Sequence, residues 1–131
     1  MDLEILKIAS DAKYNKIIDD FTHISKKKNP LCGDEMQISV KILNNKIIDF
    51  AYQCKSCIYC QASASILSKA SINKSTKTIL GLLKFSIIFF EKNGSKFPKR
   101  WKKFDKLFNK KNIARKECIL LPFKALSKAL K

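Results

Sequence analysis

The sequence predicts an α+β fold in which a small antiparallel β-sheet, carried by a hairpin at about 36–53, packs against several helices. Two observations predict it. From Met36 to Leu43 the residues alternate, with Met36, Ile38, Val40 and Ile42 on one face and Gln37, Ser39 and Lys41 on the other, which is the period of a strand. On either side of this stretch apolar residues recur at helical spacing instead. The 131 residues, 46% of them hydrophobic, suffice for one domain with one core. Neither a repeat nor a linker marks a second unit, so a single domain over 1–131 is expected.

The elements follow in order. Leu3, Leu6, Ile8, Ala12, Ile17, Ile18 and Phe21 predict a helix over 3–24, ended by Lys26–Lys27–Lys28. Asn29–Pro30 marks a turn, because the residue before proline avoids the helical region. Asn44–Asn45 suits a two-residue hairpin turn at positive φ, and Lys46 to Gln53 is the returning strand. Cys54 and Cys57 are expected just after it. Gln61 to Ile72 reads as a helix whose Ala and Ser side chains allow close approach to a sheet. Ser75 or Thr76 can cap the next helix, Ile79 to Lys92, which Asn93–Gly94 ends. Pro98 starts a short helix with Trp101, Phe104, Leu107 and Phe108. A last helix spans about 114–130, where Pro122 requires a kink or a later start.

The net charge of +16 raises the question of nucleic acid. Arg100 and Arg115 are the only arginines, however, and bidentate phosphate and guanine contacts favour arginine. A solvated lysine surface is the expected reading. It can also steer the chain toward acidic proteins, an effect that weakens with salt. The start of the chain lacks the basic and apolar regions of a signal peptide. The stretch 79–90 is too short to span a bilayer and is broken by Lys84. A soluble cytoplasmic protein is therefore expected, with no membrane partner. Its thiols stay reduced, so five cysteines read as metal ligands or reactive thiols rather than a disulfide framework.

Cys32 precedes the hairpin, Cys57 lies between its second strand and a helix, and Cys118 stands near the start of the last helix. Such junctions can converge at one end of a sheet, and helix N-termini favour thiolate. Asp34 is two residues from Cys32, on the same side of an extended segment. Three thiolates and a carboxylate would form a tetrahedral site for zinc or ferrous iron. Against this, single free cysteines often simply pack. The run Cys54-x-x-Cys57-x-x-Cys60 is similar to iron–sulfur ligand spacing, without the usual fourth cysteine. His23, the only histidine, is expected at the surface.

The segment Asn29-Pro30-Leu31-Cys32-Gly33-Asp34-Glu35-Met36 resembles the NP-x-CGD segment of the IscU/NifU-like iron–sulfur cluster assembly scaffolds. Ile47-Ile48-Asp49-Phe50-Ala51 follows as it does there. Cys57 with Ala62-Ser63-Ala64-Ser65 resembles the second cysteine and its small-residue helix. Ala114-Arg115-Lys116-Glu117-Cys118-Ile119-Leu120-Leu121 resembles the segment around the third. The long gap between Cys57 and Cys118, and Arg115 three residues before the last cysteine, are similar to the SufU-type branch.

The resemblance implies a small sheet covered by helices on one side. It implies a site of Cys32, Asp34, Cys57 and Cys118 that holds zinc or iron, or a transient 2Fe–2S cluster. It implies a cysteine desulfurase as sulfur donor and apo-proteins as recipients. Cys32 would accept the persulfide sulfur, Cys57 and Cys118 would hold the metal, and Asp34 would be the exchangeable oxygen ligand. The chain departs from the family in three places. The stretch before NP-x-CGD is short, so an edge strand is expected to be missing. Cys54 and Cys60 match no family cysteine, and can be packing residues, additional sulfur acceptors or alternative ligands. Glu117 puts a carboxylate beside the site that would disfavour thiolate at Cys118 or compete as a ligand.

Competing readings are a zinc-dependent sulfurtransferase that builds no cluster, a structural zinc protein binding nucleic acid, and a Cys-x-x-Cys thiol oxidoreductase. The nucleic-acid reading needs exposed aromatic residues in the basic region, and Trp101 is the candidate. The hairpin before Cys54 argues against the oxidoreductase, which would place its motif in a βαβ unit.

Overall fold

The computed structural model describes residues 3–29, 33–55, 57–91 and 96–131. Its order is α1 (Leu3–Ser10), β1 (His23–Lys28), β2 (Glu35–Leu43), β3 (Lys46–Lys55), α2 (Ile58–Ser71), α3 (Thr76–Ile88) and α4 (Lys116–Ala129). Three 3₁₀ segments, Phe89–Glu91, Lys99–Lys106 and Lys110–Arg115, lie between α3 and α4. The expected α+β class is borne out.

The three strands form an antiparallel sheet in the order β1-β2-β3. Asn44 and Asn45 make the predicted turn at φ 51° and 63°, leaving Ile38 opposite Tyr52 and Val40 opposite Phe50. The alternation of β2 then puts Met36, Ile38 and Val40 on one face. With Phe50 and Tyr52 they are buried. Against this face lie α4, which touches β1 and β2, and α2, which touches β3 and packs on α4. Ser75 caps α3 by accepting a hydrogen bond from the Thr78 amide at 3.1 Å.

The N-terminal region departs from the expected helix over 3–24. Only Leu3–Ser10 is helical. The Tyr14 carbonyl accepts a hydrogen bond from the Tyr52 amide at 2.9 Å. The chain then passes outside the sheet, tied by Lys16–Asp49 at 3.1 Å and Asp20–Lys41 at 2.6 Å. Ile17 and Phe21 are 68% and 40% exposed, so their helical spacing has no core to face. Residues 23–28, expected as a helix end, form strand β1. The edge strand expected to be missing is therefore present. It goes unseen in the sequence because only Ser25 points into the interior, where its hydroxyl donates to the Ala125 carbonyl of α4.

Smaller differences have similar causes. β3 runs two residues longer than expected and includes Cys54, which pairs with Met36. α2 begins at Ile58, directly after Cys57. The predicted end at Asn93–Gly94 lies outside the described residues. The Pro98 segment is 3₁₀ rather than α-helical, with Trp101 off helical geometry at φ −114°, ψ 23°. It is shaped by an aromatic cluster in which Phe97, Phe108 and Phe123 meet at centroid distances of 4.9 and 5.1 Å. Pro122 sits inside α4. Having no N–H, it leaves the Cys118 carbonyl without its helical donor.

Candidate metal centre

Asp34, Cys57 and Cys118 come together at the end of the sheet away from the hairpin turn. Each is held by a different element. The Asn29 amide donates to the Asp34 carbonyl at 2.8 Å, and the Gly33 amide donates to the Asn29 carbonyl at 2.9 Å. These bonds close the connection between β1 and β2. Gly33 takes φ +77°, with open space where a side chain would point. Glycine is therefore needed for backbone geometry rather than for room. Cys57 is the residue before α2, and its carbonyl accepts from the Gln61 amide at 3.1 Å. Cys118 lies in the first turn of α4. Both thiols thus sit at helix N-termini, where the partial positive charge favours an anion.

Two contacts fix the helices to each other beside these thiols. The Ser63 hydroxyl of α2 donates to the Ile119 carbonyl of α4 at 2.6 Å. Arg115, immediately before α4, lies over the Tyr59 ring at 5.4 Å. No sequence pattern marks Ser63 or Tyr59 for the site; Ser63 belongs to a small-residue run that by itself implies only close packing.

One ligand atom from each of Asp34, Cys57 and Cys118 lies within 4.8 Å of the others. Ligand atoms around a tetrahedral zinc with bonds of about 2.3 Å stand about 3.8 Å apart. No pair in the group therefore stands more than about an ångström beyond that spacing. Asp34 and Cys118 are each 9% exposed. Asp34 Oδ2 is buried without a hydrogen-bond partner among the described residues. Burying a carboxylate oxygen unpaired is costly, and a cation would satisfy it. Burial first, and then the Cys57 thiol and the Asp34 carboxylate, push the Cys118 thiol well above the usual cysteine range. Without a cation this thiol stays protonated; with one, the proton leaves and the sulfur binds. Two sulfurs and an oxygen suit zinc or iron.

Cys32, the fourth predicted ligand, lies outside the described residues, immediately before Gly33. Cys54 is half-buried in β3, and Cys60 is fully buried in the core; neither belongs to the metal-ligating group. His23 starts β1, with Nδ1 2.8 Å from the Thr22 hydroxyl. Glu117, considered as a competing ligand, is exposed and pairs with Lys124 at 3.5 Å. Trp101 is buried beside Phe104, with the Arg100 guanidinium 4.9 Å over its ring. It therefore gives a nucleobase no exposed face. No helix among the described residues is long and apolar enough to cross a membrane.

The family model of the NifU-like N-terminal domain matches residues 4–99. That range includes Asp34 and Cys57 and stops short of Cys118. A Thermotoga maritima protein named iron–sulfur cluster assembly scaffold protein IscU is 31% identical over 97% of this chain and 89% of its own length. Among solved structures, a Fervidobacterium islandicum scaffold protein of the SUF system superposes with a TM-score of 0.89. It is 26% identical, covering 100% of this chain and 96% of that one. The N-terminal part of a NifU-like protein from Brucella abortus superposes with a TM-score of 0.87 at 19% identity, over 98% and 90% of the two chains. The last of these shows the shared fold, and the first carries the similarity beyond residue 99 through the helix of the third cysteine. With the family model covering well over half the sequence, the chain belongs to the NifU-like N-terminal domain family, to which the IscU and SufU proteins also belong.

Proposed function

We propose that this chain is an iron–sulfur cluster assembly protein that accepts sulfur from a cysteine desulfurase. It holds a metal ion or nascent 2Fe–2S cluster with Cys32, Asp34, Cys57 and Cys118, and passes its cargo to apo-proteins. The observation that carries the reading is the convergence of Asp34, Cys57 and Cys118 on one point, with a buried carboxylate oxygen that lacks a hydrogen-bond partner among the described residues. The Thermotoga relative's name agrees with it.

In the proposed transfer, the Cys32 thiolate attacks the outer sulfur of the donor's cysteine persulfide. A new sulfur–sulfur bond forms on Cys32, the old one breaks, and the donor's cysteine leaves as thiolate. No net oxidation or reduction occurs. A bound cation would keep the nearby thiols deprotonated. Cys57 and Cys118 hold from helix starts, where they move little. Asp34 supplies an oxygen that a thiophilic metal binds less firmly, which suits cargo that must leave.

A second reading, a zinc-dependent sulfurtransferase that builds no cluster, rests on the SufU-type features of the sequence, the long gap between Cys57 and Cys118 and Arg115 three residues before the last cysteine. Metal and acid-labile sulfide content separate the two. The protein is purified without oxygen and assayed before and after incubation with desulfurase, cysteine and ferrous iron. Iron with matching sulfide supports cluster assembly, and one tight zinc without sulfide supports the sulfurtransferase. Neither metal nor sulfide would sink both. Cys32→Ser should abolish persulfide acceptance; undiminished acceptance removes Cys32 from the transfer.

A further inference from the structure

The charge of this chain is divided unevenly along its length. Residues 1–49 hold 8 basic and 8 acidic residues, whereas residues 50–131 hold 19 basic and 3 acidic. The first part forms α1, the outer crossing segment, β1, β2 and the start of β3. The second forms the end of β3 and the helices and 3₁₀ segments that follow. The net +16 therefore belongs to one part of the fold. Its densest stretch is 96–116, with ten basic residues and a single acid, Asp105. All ten are exposed.

This stretch is a shaped surface rather than a loose tail. Phe97, Trp101, Phe104, Leu107 and Phe108 point inward and are buried, which turns the intervening Lys and Arg side chains outward on a firm base. It runs through Arg115 and Lys116 straight into the first turn of α4, which carries Cys118. Lys55 ends β3 two residues before Cys57. A partner lying on this face would have its edge at the metal centre.

We infer that the 96–116 face docks an acidic protein surface, that of the sulfur donor; the identity of this partner rests on the function proposed above. Nucleic acid is the poorer fit, because lysine predominates, and Trp101 is buried and covered by Arg100. A membrane surface is also a poorer fit, since the large apolar side chains of the face are turned into the core and Ile113 alone among them is exposed. A persulfide is itself anionic, so a cationic approach favours bringing one to the thiols. Charge of this density speeds encounter by one to three orders of magnitude at low salt.

The test compares two triple variants of the full chain. Lys102→Gln, Lys103→Gln and Lys110→Gln alter the face. Lys46→Gln, Lys74→Gln and Lys77→Gln remove equal charge at the hairpin end, where the Thr76 amide donates to the Asn45 carbonyl and the Ile47 amide to the Lys74 carbonyl. Association with an acidic cysteine desulfurase holoenzyme is measured at several salt concentrations, alongside zinc content. Duplex DNA and phosphatidylglycerol vesicles serve as alternative probes. The face variant should associate about tenfold more slowly at low salt and show a shallower salt dependence than the parent. The control should stay within about twofold of the parent, and both should retain zinc. Equal behaviour of the two variants, no association by the parent, or tighter binding to DNA or vesicles would each overturn the docking inference. Face-dependent docking without any sulfur acceptance would instead overturn the proposed function and leave the docking face standing.

Discussion

Asp34→Ala should stabilise the metal-free protein and weaken the metal-bound one. The carboxylate is 9% exposed, and its Oδ2 lacks a hydrogen-bond partner among the described residues. A buried unsatisfied acceptor costs about 1–3 kcal/mol. Alanine removes that cost. It also gives up the hydrogen bond between the carboxylate and the Cys118 thiol and leaves a small void. The balance is a gain of about 1 kcal/mol, or about 3–5 °C in midpoint for a chain of this length. With zinc the sign reverses. Loss of an anionic ligand should weaken affinity at least tenfold, about 1.4 kcal/mol, and that loss subtracts directly from the stabilisation zinc confers. Thermal unfolding with a chelator and with saturating zinc, parent against variant, should therefore give curves that exchange order. A variant that melts lower in chelator would mean that Asp34 is an ordinary structural residue. Unchanged zinc affinity would remove it from the ligand set.

Other substitutions separate backbone, fold and site. Gly33→Ala forces a side chain onto φ +77° and should cost about 1–2 kcal/mol of stability. It should also weaken zinc binding, because the strain falls on the residue next to Asp34; chelator competition measures this. Ser75→Ala removes the cap of α3 and should lower stability by about 1 kcal/mol in denaturant unfolding while leaving zinc affinity unchanged. Burial first, and then the neighbouring Cys54, push the Tyr52 phenol up to about 12, against a lowering hydrogen bond with Ser65. With the folded value above the unfolded value of about 10, its contribution to stability is intact below pH 10 and is lost as pH climbs toward 12. In a Tyr14→Phe, Tyr59→Phe background, where Tyr52 is the sole tyrosine, phenolate absorbance followed together with far-ultraviolet dichroism should show Tyr52 ionising as the fold is lost; ionisation while the fold is intact would refute this.

What the sequence reveals tracks how strongly each element is patterned. β2 alternates because one of its faces is buried, and Asn44–Asn45 marks the turn because few side chains accept positive φ. β1 has neither signal. At the sheet edge its lysines face water, and its one inward residue is a serine bonded to a carbonyl of α4. The apolar spacing from Leu3 to Phe21 is real, but tertiary bonds to Tyr14 and Asp20 override it beyond Ser10. The convergence of Asp34, Cys57 and Cys118 was legible because each stands at a boundary that local sequence marks. The contacts that register α2 on α4 were not, since Ser63 acts on a backbone carbonyl 56 residues away, which leaves no trace in spacing.

The spacing of the three converging ligands along the chain has a mechanical consequence. Positions 34, 57 and 118 belong to the turn before the hairpin, the start of one helix and the start of the last. An ion gripped by all three would act as a three-way fastener, closing chain loops of 23 and 61 residues that the unfolded polymer would otherwise leave open. Loading would then tighten the sheet, α2 and α4 together, and unloading would release all three at once. Loss of the ion would loosen three distant parts of the chain in one event, so a metal-free molecule would differ from a metal-bound one in how firmly the first turn of its last helix is held.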